Sequence, residues 1–106
     1  MTDKRIVLTT TGSQQEAQKI AEALVEQRLA ACVNIISGMH SVYRWQGKVE
    51  QADEWLLLIK TTESASAPVR DTITKLHSYE LPECIVLSID DGTPAYLDWI
   101  GDSVKG

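Results

Sequence analysis

The side chains that could hold a metal ion are few and scattered. Cys32, Cys84, Met1 and Met39 are the soft donors, and His40 and His77 are the imidazoles. Thiolate and imidazole suit copper and zinc. None of these residues falls in a CxxC, HxxxH or CxH pair, so the fold would have to assemble any metal site. A second set is Lys60, Tyr79 and Glu83 with Trp45. Polar groups on loops and strand ends beside an aromatic ring are the makings of a ligand cleft. A lysine and a glutamate there would take a small anionic ligand, or pair with each other at a subunit contact. There is no nucleophile elbow, Gly-rich phosphate loop or zinc-protease motif, and no paired carboxylates at helical spacing beside a histidine. The sequence carries no enzyme signature.

The elements that must position these residues follow from periodicity. Arg5–Thr11 is β-branched and aliphatic, a strand pattern. Ser13 and Glu16 have capping-box spacing, and Ala17, Ile20, Ala21, Leu24 and Val25 follow at helical intervals, predicting a helix to about Arg28. Cys32–Trp45 is a second strand with a bulge expected at Gly38. Gln46-Gly47 is a tight turn, and Val49–Thr61 is a third strand. A second helix begins near Ser64 or Ser66, with Pro68 in its first turn and Val69, Ile73 and Leu76 as its apolar stripe. Cys84–Ile89 is a fourth strand. Thr93-Pro94 opens a short last helix carrying Tyr96, Leu97, Trp99 and Ile100.

The order βαββαβ predicts an α+β, ferredoxin-like split βαβ domain over residues 1–106. Right-handed crossovers give a four-stranded antiparallel sheet, two helices on one face and a short C-terminal helix. The second and fourth strands are then opposite edges, about 14 Å apart. That separates Cys32 from Cys84 within one chain and excludes a disulfide or shared ligand site between them. Small buried cysteines are the plainer reading.

The strands carry apolar residues on both faces, as in Trp55-Leu56-Leu57-Leu58-Ile59. One helical layer leaves the second face uncovered. The hairpin 33–61 is also far longer than the flanking strands. Its tip is expected to project, carrying Val42, Tyr43, Trp45, Val49 and Trp55. Both features predict a homo-oligomer with Tyr43, Trp45 and Trp55 at the subunit contacts.

The net charge of −5 and ten scattered Lys and Arg provide no basic patch for nucleic acid. No apolar run approaches the roughly 20 residues of a membrane helix. The N-terminal residues contain no signal-peptide core, so a cytoplasmic protein with reduced thiols is expected.

Several stretches together resemble the CutA family of divalent-cation tolerance proteins. They are Leu29-Ala30-Ala31-Cys32-Val33-Asn34-Ile35, Ser41-Val42-Tyr43-Arg44-Trp45-Gln46-Gly47-Lys48-Val49-Glu50, Lys60-Thr61-Thr62, His77-Ser78-Tyr79-Glu80-Leu81-Pro82-Glu83 and Tyr96-Leu97-Asp98-Trp99-Ile100. The resemblance implies a ferredoxin-like protomer, a homotrimer, a cytoplasmic location and a role in tolerating divalent ions, with copper or another divalent cation as the ligand. It also implies an architectural likeness to trimeric nitrogen-regulatory signalling proteins. The alternative role, drawn from Lys60, Tyr79, Glu83 and Trp45, is a signalling or adaptor trimer that binds a small anionic ligand or protein partner in the intersubunit cleft. In some members a copper site is drawn from a cysteine near the end of the first strand and two histidines before a Tyr-x-x-Pro-Glu segment. The corresponding positions here are Thr9, Leu76 and His77.

Overall fold

The computed structural model describes residues 2–105, so Met1 lies outside the described residues. The elements are β1 (Lys4–Thr11), α1 (Gln14–Glu26), β2 (Cys32–Trp45), β3 (Lys48–Thr62), α2 (Ser66–Leu76), β4 (Ile85–Ser88) and α3 (Pro94–Ser103). One sheet joins the strands in the order β2-β3-β1-β4, every pair antiparallel. The expected ferredoxin-like order and the opposed edges are both present.

Local chemistry explains the starts and stops. The Ser13 hydroxyl accepts the Glu16 N–H at 3.1 Å, which begins α1. The Glu16 carboxylate does not complete a capping box; it reaches across to Ser78 N–H at 3.2 Å. A tertiary partner has replaced the local one. Arg28, at φ 59, turns the chain out of α1. Thr93 precedes α3, but its side chain makes no capping bond. The β2–β3 turn sits on Gln46 and Gly47, both at positive φ, and the expected bulge appears as a register shift between Ile36 and Met39 around Gly38 at φ +80.

The parity of the strands sorts the core. Val7, Leu57 and Ile59 face α1 and α2 and are fully buried with Ile20, Leu24, Val69 and Ile73. The opposite face holds Ile6, Leu8, Leu56 and Leu58, flanked by Ile36, Ile85 and Leu87 on the edge strands. Ile36 and Leu87 are each 45% exposed. The last helix covers only one end: Ile100 and Val104 pack with Ala65, Ala31 and Leu97 in a small second cluster.

Only part of the hairpin is backed by β1. Pairing of β1 with β3 ends at Thr11↔Trp55, whereas β2 and β3 pair on from Met39↔Glu54 to Trp45↔Lys48. The outer part is therefore a two-stranded ribbon. Val42 and Val49 on it are more than 60% exposed. Trp55 is not on the ribbon, contrary to the sequence expectation. It opens the three-strand body and packs against the helical-side core, because it shares parity with Leu57 and Ile59.

Candidate functional site

His77 caps the C-terminus of α2, with its side chain fully buried. Its Nδ1 accepts the Tyr79 N–H at 3.1 Å. The proton therefore belongs on Nε2, assigned from these partners, and Nε2–H donates to the Thr10 carbonyl at 2.6 Å. Glu16 stands 3.4 Å from Nδ1. Both ring nitrogens are engaged, and coordination through either would break one of these bonds.

Of the other two positions drawn from the family copper site, the Thr9 hydroxyl is buried without a partner and Leu76 packs on the core. Cys32 and Cys84 are both free and sit on opposite sides of the sheet. Burial raises the Cys84 thiol, away from the thiolate a metal would need. On the ribbon His40 meets Asp53 at 2.9 Å and Gln51 at 2.7 Å. The Asp53 bond, then the Gln51 bond, raises its pKa. Among the described residues no three His, Cys, Asp or Glu side chains gather as a metal site. A closed thiolate–imidazole copper centre does not fit this chain.

The second predicted set fares differently. A cleft of about 620 Å³ opens between the inner side of the ribbon and the segment after α2. Trp45, Tyr79 and Glu83 line it, as expected, together with Tyr43. Lys60 does not. It pairs across from Ile6 and Cys32, at the other end of the open face, where its Nζ meets Asn34 Oδ1 and lies 4.0 Å from Cys32 Sγ. It lies four positions along β3 from Leu56 in the cleft wall, about 13 Å of strand.

Glu54 occupies the place sequence reasoning left vacant. It is only 8% exposed, and its Oε2 accepts the Tyr79 hydroxyl at 2.8 Å. Tyr79 is thus held at both ends, by His77 through its N–H and by Glu54 through its hydroxyl. Gly12 makes room for it: a Cβ there would stand 3.0 Å from the Tyr79 oxygen. Burial, reinforced by the Glu54 bond, raises the Tyr79 phenol well above its ordinary value, so it remains a donor. Burial and the neighbouring Glu54 carboxylate also raise Glu83. The sequence did hold a signal for Glu54, which has the same strand parity as Leu56 and Leu58 on the uncovered face.

A ferredoxin-like sheet whose second face is covered only at one end, a ribbon extending past it and an acidic cleft beneath the ribbon define a class of small α+β protein. The chain belongs to the CutA1 divalent ion tolerance protein family, whose model matches residues 5–103. It is 47% identical over 100 residues to a divalent-cation tolerance protein CutA of Thermus thermophilus, covering 94% of this chain and 97% of that one. A chloroplastic CutA of Arabidopsis thaliana is 40% identical over 94% of this chain, which spans 55% of that longer relative. The solved Thermus thermophilus structure superposes with a TM-score of 0.94 at 46% identity, covering 96% of this chain and 99% of that one. A Xylella fastidiosa CutA does so at 0.95 with 39% identity, covering 97% and 99%. An Archaeoglobus fulgidus relative with a TM-score of 0.93 and 38% identity, over 96% of this chain and 99% of that one, is described as periplasmic. Among the described residues no helix is long and apolar enough to cross a membrane.

Proposed function

We propose that this chain is the single-domain subunit of a cytoplasmic homotrimer serving divalent-cation tolerance, and that it binds copper or another divalent cation weakly through Glu54 and Glu83. The observation that carries the reading is the buried Glu54 carboxylate, electrostatically coupled to Glu83 in one cleft. Two like charges held together in partial burial attract a cation, which relieves their repulsion. Two carboxylates fall short of a full oxygen shell, so water supplies the remainder and affinity stays low. The bare apolar face and the ribbon carrying Tyr43 and Trp45 support assembly. The free thiols suit a reducing compartment.

The alternative is a signalling or adaptor trimer that binds a small anionic ligand. Lys60 lies outside the cleft, and Arg44 is the one cationic residue lining it among the described residues. The cleft chemistry therefore favours a cation.

Calorimetry with Cu²⁺ and Mn²⁺ on the purified protein tests the reading, with light scattering for its mass. Weak binding that Glu83→Gln abolishes and His77→Ala leaves in place is expected. Binding that survives Glu83→Gln but is lost in His77→Ala would overturn the carboxylate assignment, and a mass of one 11.7 kDa chain would overturn the trimer.

A further inference from the structure

The start of α1 and the end of α2 place the His77 imidazole between two partners that ask opposite things of one atom. Its Nδ1 accepts the Tyr79 N–H at 3.1 Å, which requires a lone pair. The Glu16 Oε1 stands 3.4 Å from the same nitrogen, and only a proton on Nδ1 makes that contact attractive. This Oε1 is buried with no hydrogen-bond partner, while Oε2 accepts the Ser78 N–H at 3.2 Å. A buried carboxylate oxygen left unpaired is costly. Nδ1 can therefore serve Tyr79 or Glu16, but not both. Nε2–H donates to the Thr10 carbonyl in either case, so the ring exchanges partners without flipping.

The surroundings decide what the exchange does. On the elements packed against the ring, α1 presents Glu16, β1 presents the Thr10 carbonyl, and β3 presents Glu54 beyond the Tyr79 phenol. Lys75, in the last turn of α2, is exposed. The Tyr79 ring centroid lies 4.7 Å from that of the imidazole. With Nδ1 protonated, the Tyr79 N–H loses its acceptor and meets another N–H. The Tyr79 hydroxyl keeps its bond to Glu54, but the backbone that carries the ring is no longer fixed.

We infer that His77 is a pH-operated latch: neutral, it fixes the Tyr79 backbone through Nδ1; protonated, it turns Nδ1–H to Glu16 and releases the segment that follows α2. All of its groups belong to one chain. The inference goes beyond the proposed cation binding and does not depend on it.

The test is a titration of the intact ¹⁵N-labelled protein from about pH 8 to about pH 5, the range in which histidine changes charge. The ring nitrogens of His77 are told from those of the exposed His40 by their loss in His77→Asn. At the upper end the proton is expected on Nε2, and at the lower end on both nitrogens. Across the same midpoint the Tyr79 amide signal is expected to move upfield, and its protection from exchange to fall about tenfold, the loss of one hydrogen bond. In His77→Asn the Tyr79 amide is expected to stay in place, because an asparagine oxygen accepts an N–H two residues on and does not titrate. Glu16→Gln keeps an acceptor for Ser78 and removes the charge that receives the proton, so the midpoint is expected to move to lower pH. A Tyr79 amide that stays unmoved while the ring takes its second proton would overturn the latch. So would a ring that takes it only as the whole chain unfolds, or a midpoint unchanged in Glu16→Gln. A Tyr79 shift that persists in His77→Asn would overturn it as well, and would assign the response to a carboxylate.

Discussion

The two faces of the sheet are made from the same strands and nearly the same residue types. On one, Val7, Leu57 and Ile59 are fully buried beneath α1 and α2. On the other, Ile36, Ile85 and Leu87 remain 45–48% exposed, although they are equally apolar. The difference lies in the supply of cover. Each crossover helix returns the chain on the same side, so one face is served twice and the other only by the end of α3. The helical face is closed by the chain itself, whereas burial of the open face is what the proposed trimer would supply.

That contrast can be broken by substitution. The largest effect is expected from Trp45→Ala, about 3–5 kcal/mol per subunit if the ring is packed at a subunit contact. Light scattering at falling concentration should show dissociation, and an unchanged mass and melting temperature would place the ring in the open cleft instead. Leu57→Ala should cost about 2–5 kcal/mol through the cavity it leaves. Its destabilisation should be the same at every protein concentration, since the site is internal to one chain. Leu87→Ser on the open face should instead lower the melting temperature more on dilution. Equal concentration dependence for the two would erase the distinction between the faces. Ser13→Ala, which removes the α1 cap, should cost about 1 kcal/mol by denaturant titration.

The smallest effect concerns pH. Glu83 is raised in the folded state, so between its unfolded and folded pKa values the native protein holds more protons. Stability should fall as pH rises through that window. Glu83→Gln should flatten this slope and be slightly more stable near neutrality. A steeper slope in the variant would mean that the native fold favours the anion.

How far the sequence showed this depends on the kind of interaction. Strand order, the Gly38 bulge and the Ser13 cap were legible because each depends on neighbours in the chain or on simple periodicity. The placement of Trp55 was misjudged because the reach of the ribbon depends on where β1 stops, a property of register at Thr11↔Trp55. Lys60 was grouped with Tyr79 on residue type alone, and only the pairing of Lys60 with Ile6 and Cys32 separates them. His77 looked available to a metal. Its commitment to Thr10 and Tyr79 spans 67 residues in one direction and two in the other, and no local pattern encodes the longer bond.

The ribbon from Met39 to Glu54 has a further consequence. It is tied to the body by β2 and β3 but contributes nothing to the core beneath α1 and α2. Substitutions there can accumulate without unfolding the subunit. In the proposed trimer, what they alter is company. Where two relatives share a compartment, divergent ribbons would sort like chains with like, and exchanging this one segment would transplant that preference onto an unchanged body. The stretch least answerable to its own fold is the one freest to decide which chains assemble together.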